Sequence, residues 1–239
     1  MAKIDGIIKF TGTINGVNYY CRGGKFYARK AGGGFNGEGI KSSPKMKAVR
    51  QNNSEFGRVS TTKKHFKKSL EPILSGVNHP NLHRSMMSLF QQIKNCDVDS
   101  PRGSRNIFTG LESLAGQQLL ENFHFFPEFP LPGKIKAQLK IEKESGKLCI
   151  QDISSSNIDY LLQGYCLHFD FDKLTYELSL AKPLVSQSFK PIEKYEFVLP
   201  PQPGDNIWLL NYRELPENLK SGNEKPSGFG ISVLGWFRM

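Results

Sequence analysis

Apolar and polar positions change their period along this chain, and each change marks an element. Across residues 8–14 apolar and polar side chains alternate, Asn15-Gly16 follows, and Val17, Asn18, Tyr19 and Tyr20 continue as a strand. Alternation around Asn-Gly predicts a β-hairpin, because the favoured two-residue turn needs positive φ at both central positions. Gly23-Gly24 offers a second turn into residues 25–30, which predicts a three-stranded meander, stable where two strands alone would not be. Ser43-Pro44 then has the N-cap and first-position arrangement of a helix start. At about 100° per residue Val59, Phe66, Leu70 and Ile73 share one stripe, with Gly57 as a candidate break. A second helix is expected from near His79-Pro80, carrying Leu82, Met86, Leu89, Phe90 and Ile93 at helical spacing.

Beyond a turn-rich connector at residues 99–103 the period returns to two. Ile135, Ala137, Leu139 and Ile141 lie on one face of a strand over 134–142, and Glu144-Ser145-Gly146 turns it into Leu148, Cys149 and Ile150. Further strands are expected over 165–172, 174–180, 194–199, 207–212 and 229–237, punctuated by Pro183, Pro200-Pro201, Pro203-Gly204 and Ser221-Gly222. Short strands at this spacing predict an antiparallel β-sandwich. The expected fold is α+β: an N-terminal β-hairpin or meander (1–42), a helical hairpin (43–98), then a connector and antiparallel β-sandwich (99–239).

Composition narrows the class. With 239 residues, 38% hydrophobic content, 17 Phe and 8 Tyr, the chain has ample material for a core without disulfide staples and is far from the signature of disorder. No stretch approaches the roughly 18 apolar residues of a membrane helix, and no signal peptide is visible, so the expected address is cytoplasmic. Cys21, Cys96, Cys149 and Cys166 are scattered, as suits reduced packed thiols better than a bridge framework or zinc site. Charge is lopsided: residues 1–105 hold 19 Lys+Arg against 6 Asp+Glu, whereas the remainder is slightly acidic, within a formal total of +10. A basic first half points to an acidic partner, whether nucleic acid, anionic membrane or acidic protein surface.

The clearest chemical feature is Lys63-Lys64-x-x-Lys67-Lys68, whose like charges at i, i+4 each cost an isolated helix roughly 0.2–0.5 kcal/mol and would be relieved by an anion. Arg22, Lys25, Arg29 and Lys30 are interleaved with Tyr19, Tyr20, Phe26 and Tyr27, placing phosphate-binding cations beside stacking aromatics. Other candidates are weaker. The glycine-rich segment 32–39 lacks the Gly-Lys-Ser/Thr ending of a phosphate loop and reads as a linker or close-approach loop. His79 and His83 have no third ligand in register, and Asp170-x-Asp172 fits the solvent side of a strand whose Phe169 and Phe171 face the core. No nucleophile elbow or acid-base pair stands out, so neither a catalytic group nor a cofactor or metal is expected.

The run Ile8-Lys9-Phe10-x-Gly12-x-Ile14-x-Gly16-x-x-x-Tyr20, then Ala28-Arg29-Lys30, Arg50-x-Asn52-Asn53-Ser54-Glu55-Phe56-Gly57-Arg58 and Ser100-Pro101-Arg102-Gly103-x-Arg105-Asn106, resembles a family of uncharacterised Bacteroidota proteins over about residues 8–106. Residues 21–25 depart from that family's usual turn. The family brings no activity with it. Such proteins in turn resemble the plug that closes the periplasmic end of the type 9 secretion translocon pore, which implies a place at the periplasmic face of the outer membrane. The combined expectation is a non-enzymatic accessory protein that docks into a protein assembly, such as an outer-membrane translocon. Arg22, Lys25, Arg29, Lys30, Arg50, Arg58, Lys63, Lys64, Lys67 and Lys68 would make the charged contacts; Glu55 could instead pair with Arg58 or Arg50 to orient the helix. Nucleic-acid binding through the same cations is the alternative.

Overall fold

The computed structural model describes residues 2–4, 11–32, 37–75, 81–127, 136–142, 145–154, 160–186, 192–215 and 229–238. The chain divides into two compact units, Met1–Asn53 and Ser54–Met239. The division falls within a helix rather than at the expected boundaries after residues 42 and 98.

The first unit is built on a four-stranded antiparallel sheet of β1 (Ala2–Ile4), β2 (Gly12–Ile14), β3 (Val17–Arg22) and β4 (Lys25–Lys30), in the order β1-β4-β3-β2. Both expected turns are present. Asn15 and Gly16 have φ of 48° and 75°, Gly23 and Gly24 have 58° and 75°, and the turns bring Ile14 opposite Val17 and Arg22 opposite Lys25. Two positive φ values define the mirror-image turn whose twist matches that of the strands it joins. Strand β1 enlarges the expected meander by pairing with β4, while residues 8–10 lie outside the described residues. The glycine-rich segment 32–39 overlaps the start of a short helix, α1 (Gly37–Ser42), and residues 33–36 lie outside the described residues. Ser43 is extended and Pro44 opens a 3-10 turn (Pro44–Met46), as a helix start requires, although the Ser43 hydroxyl makes no capping bond.

Helix α2 (Lys47–Ser69) runs through Gly57 without a break. A lone helical glycine costs about 1 kcal/mol relative to alanine but keeps its amide hydrogen bond, so it need not interrupt the ladder. The second unit continues with α3 (Glu71–Leu74), α4 (Leu82–Asn95), α5 (Ile107–Gly110) and α6 (Leu114–Glu121). The expected start at His79-Pro80 lies outside the described residues, but the whole apolar stripe of α4 is buried. Helices α5 and α6 were not anticipated; each opens on a side-chain cap, Asn106 accepting from the Thr109 amide and Ser113 from the Gly116 amide.

Eight strands follow: β5 (Lys136–Glu142), β6 (Lys147–Ser154), β7 (Tyr160–Phe169), β8 (Tyr176–Leu180), β9 (Leu184–Ser186), β10 (Ile192–Val198), β11 (Asp205–Glu214) and β12 (Phe229–Arg238). They form a three-stranded sheet, β10-β6-β5, and a five-stranded sheet, β12-β11-β7-β8 with β9 also on β7. The sheets pack face to face through Leu148, Ile150 and Phe197 on one side and Leu162, Trp208 and Leu210 on the other. Their approach is close: a Cβ on Gly164 would stand 3.0 Å from the Phe197 ring, and one on Gly235 2.8 Å from Ile141 Cδ1.

The sandwich is only two of this unit's three layers. The opposite face of the five-stranded sheet, with Leu167, Phe169, Ile207, Leu209 and Val233, shares one core with Val59, Phe66, Met86, Phe90 and Ile93 of the helices. The helical hairpin is therefore not a body of its own, because its apolar stripes cover the sheet's second face. Strand β11 shows the result: Ile207 and Leu209 meet helices, Trp208 and Leu210 meet the other sheet, and all four are buried. A register shift between Trp208 and Leu209 leaves one extra residue on β12, so that Val233 and Trp236 reach the helical side despite their odd spacing.

Candidate partner-binding surface

The register of β3 against β4 sorts the N-terminal side chains onto two faces. Tyr20 lies opposite Tyr27, Asn18 opposite Arg29 and Arg22 opposite Lys25. Because strand side chains alternate and directly paired residues share a side, Asn18, Tyr20, Arg22, Lys25, Tyr27 and Arg29 lie on one face. The other carries Val17, Tyr19, Cys21, Phe26, Ala28 and Lys30. On the first face the Tyr20 and Tyr27 rings stack with centroids 5.7 Å apart and planes inclined by 25°. Arg29 sets its guanidinium carbon 5.7 Å from the Tyr20 centroid, within the range of cation-π attraction. Asn18 Nδ2 donates to Thr13 Oγ1 at 3.1 Å on neighbouring β2. Arg22, Lys25, Arg29 and Lys30 are exposed, and no Asp or Glu occurs among the residues of these four strands. None of residues 11–32 and 37–53 is fully buried.

The remaining sequence candidates part company. Arg50 donates from Nη1 to the carbonyls of Ile40 at 2.7 Å and Ser43 at 2.9 Å, which satisfies backbone acceptors at the end of α1. Arg58 donates to the Gly103 carbonyl. In the lysine cluster Lys64, Lys67 and Lys68 are exposed, whereas Lys63 is only 5% exposed. Its ammonium lies 2.8 Å from His83 Nδ1; burial, assisted by the Lys67 charge, lowers the Lys63 pKa. Lys63 is on the core side of α2, three residues before Phe66 and four after Val59, and so is removed from the exposed set.

Glu55 pairs with Lys94, Gly103 and Arg105 rather than with Arg50 or Arg58. Its carboxylate is 2% exposed, and its Oε1 accepts from the Gly103 amide at 2.7 Å and Arg105 Nε at 2.9 Å. Oε2 accepts from Lys94 Nζ at 2.7 Å and Arg105 Nη2 at 2.9 Å. The Arg105 bonds, joined by Lys94 and the Gly103 amide and opposed by burial, hold its pKa down at about 2. Asp97 secures the same loop: Oδ1 accepts from the Ser100 amide at 2.9 Å and Oδ2 from the Asn106 amide at 3.0 Å. Burial pushes the Asp97 carboxyl up, but these amides outweigh it and the net shift is downward. The two sequence runs around Glu55 and around Gly103 thus meet as a clamp in which all four lone-pair sites of the Glu55 carboxylate are used. Lys94 was not singled out from sequence, since nothing in its spacing links it to an acid 39 residues away.

Grooves cross the described part of the second unit. One of about 660 Å³ runs between α4 and α6 over Leu89, Leu119 and Phe123, rimmed by Ser88, Gln92 and Gln118. Another, of about 560 Å³, includes Arg58, Thr61, Asn106, Phe108 and Asp172. Asp170 beside it caps its own turn, accepting from the amides of Asp172 and Lys173 at 2.9 Å each, because β7 ends at Phe169 rather than running on to residue 172. No group of three or more His, Cys, Asp or Glu side chains able to hold a metal occurs among the described residues. His83 faces Lys63, and His79 lies outside the described residues. No helix among the described residues is long and apolar enough to cross a membrane.

No protein-family model, curated protein or solved structure matches this chain.

Proposed function

We propose that this chain is a non-enzymatic docking protein that holds an anionic partner on the basic face of its N-terminal sheet, as an accessory component of a larger assembly. One observation carries the reading. Arg22, Lys25 and Arg29 share one face of a sheet that has no acidic residue in its strands. Three like charges on one small face repel one another, and a polyanion relieves that repulsion while gaining counterion-release entropy. Glu55 and Asp97 of the second unit differ in kind, because their carboxylates are committed to backbone and side-chain donors.

The test is capture from cells of the native organism by the full chain and by an Arg22→Glu, Lys25→Glu, Arg29→Glu variant whose folding is verified by circular dichroism. Loss of the wild-type partner from the variant is the expected outcome. Equal capture would remove the sheet face from the account.

A further inference from the structure

We propose that the polyanion held by this face is single-stranded RNA, stacked on Tyr20 and Tyr27. The inference deepens the docking reading and rests on it. An acidic protein surface would be served by cations alone, yet this face puts two aromatic rings in stacking contact between its cations: Arg22 and Lys25 at the turn end, Arg29 at the other. Four-stranded sheets that display aromatic side chains hold two or three bases of single-stranded RNA in this manner, because every base has a π-face and each ring supplies a platform. At about 3.4 Å per strand residue, the four steps from Lys25 to Arg29 cover about 14 Å, enough for cations to meet the phosphates on either side of stacked bases. The Arg29 guanidinium carbon lies 5.7 Å from the Tyr20 centroid, close enough for the side chain to swing off the ring onto the phosphate of a base that stacks there.

RNA rather than DNA is favoured by the polar pair beside the rings. Thr13 Oγ1 and Asn18 are held together at 3.1 Å on the same face, and the Thr13 hydroxyl hydrogen and Asn18 carbonyl oxygen give a donor and an acceptor for a ribose 2′-hydroxyl, the group that separates the two polymers. Opposing strands of a duplex would bury the base faces that the tyrosines need, so the ligand is single-stranded.

The experiment is fluorescence anisotropy of the full chain with a labelled uridylate decamer, against salt and against the matching thymidylate decamer. Three phosphate contacts give a slope of log affinity on log salt of about −2, hence an about 20-fold loss between about 50 and 200 mM salt. Tyr20→Ala and Tyr27→Ala each weaken binding about 5-fold or more without changing that slope, Tyr20→Phe restores it, and Arg29→Ala makes the slope shallower by about 0.7. A Lys64→Gln, Lys67→Gln, Lys68→Gln variant, altered in the other unit, binds as wild type. No uridylate binding, equal binding of the thymidylate strand, or tyrosine variants indistinguishable from wild type would each overturn the proposal. If uridylate fails to bind while charge reversal still abolishes partner capture, RNA alone is refuted and an acidic protein takes its place; if capture also survives reversal, the docking reading falls with it.

Discussion

Replacing Glu55 by Gln should destabilise the second unit far more than loss of one surface ion pair. The carboxylate is 2% exposed and receives four hydrogen bonds, from Lys94, the Gly103 amide and both Arg105 donors, at 2.7 to 2.9 Å. Glutamine keeps the shape but turns one acceptor into a donor that faces other donors, and it leaves the Lys94 ammonium, 7% exposed, without its counterion. Removing one partner of a buried pair costs about 3–5 kcal/mol. The titration of Glu55 gives the same scale: a carboxyl lowered from 4.5 to about 2 is linked to about 3 kcal/mol of folding free energy. Because the folded pKa is depressed, that contribution is complete above about pH 4.5 and is lost as pH falls toward about 2. Both tryptophans, Trp208 and Trp236, belong to the second unit and are buried, so urea unfolding followed by their emission reports this unit. Glu55→Gln should lower stability by about 3 kcal/mol near neutral pH, and the gap to wild type should shrink progressively below pH 4.5. A loss under about 1 kcal/mol, the range of an exposed pair, would refute the clamp.

Three further outcomes follow from burial. Lys63→Met should be neutral to stabilising by about 1 kcal/mol or more, since the ammonium is desolvated and has only a histidine nitrogen as its described partner; its lowered pKa makes wild-type stability rise with pH between that pKa and 10.5, and a clearly destabilised variant in urea would contradict this. Gly110→Ala would drive a Cβ into the Ile93 carbonyl of α4 and should cost about 1–3 kcal/mol or more in the same unfolding assay, whereas Gly57→Ala, with nothing near its Cβ, should gain about 1 kcal/mol. Native chain treated with a thiol reagent near pH 8 should react at exposed Cys21 and more slowly at Cys96, while buried Cys149 and Cys166, the latter pushed up to about 12 by burial, react only after unfolding; rapid loss of all four thiols would refute the packing.

How far the sequence carried the fold depended on how local each signal was. Asn15-Gly16 and Gly23-Gly24 encode their turns within two residues, and the apolar stripes of α2 and α4 repeat over several turns, so both were legible. Helices α5 and α6 are four and eight residues long and contain Gly110 and Gly116, too short for a period to show, although their Asn106 and Ser113 caps were there to be read. The third layer was signalled only by the unbroken apolar run from Ile207 to Leu210, which marks a strand buried on both faces. At the surface, periodicity put Val59 and Phe66 inside, and that same stripe implies that Lys63 between them leaves the exposed set. The Glu55 clamp joins residues 39 to 50 positions apart and has no local signature at all. The basic aromatic face was visible as composition, but only the pairing of Tyr20 with Tyr27 makes it a surface.

The central claim is that this face carries the partner, and two charge-reversal variants of the full chain test it side by side in capture from native cells. One replaces Arg22, Lys25 and Arg29 by Glu, the other Lys64, Lys67 and Lys68. The account predicts that the first loses the partner and the second keeps it. Retention by the first together with loss by the second would move the binding surface to α2 and contradict the account.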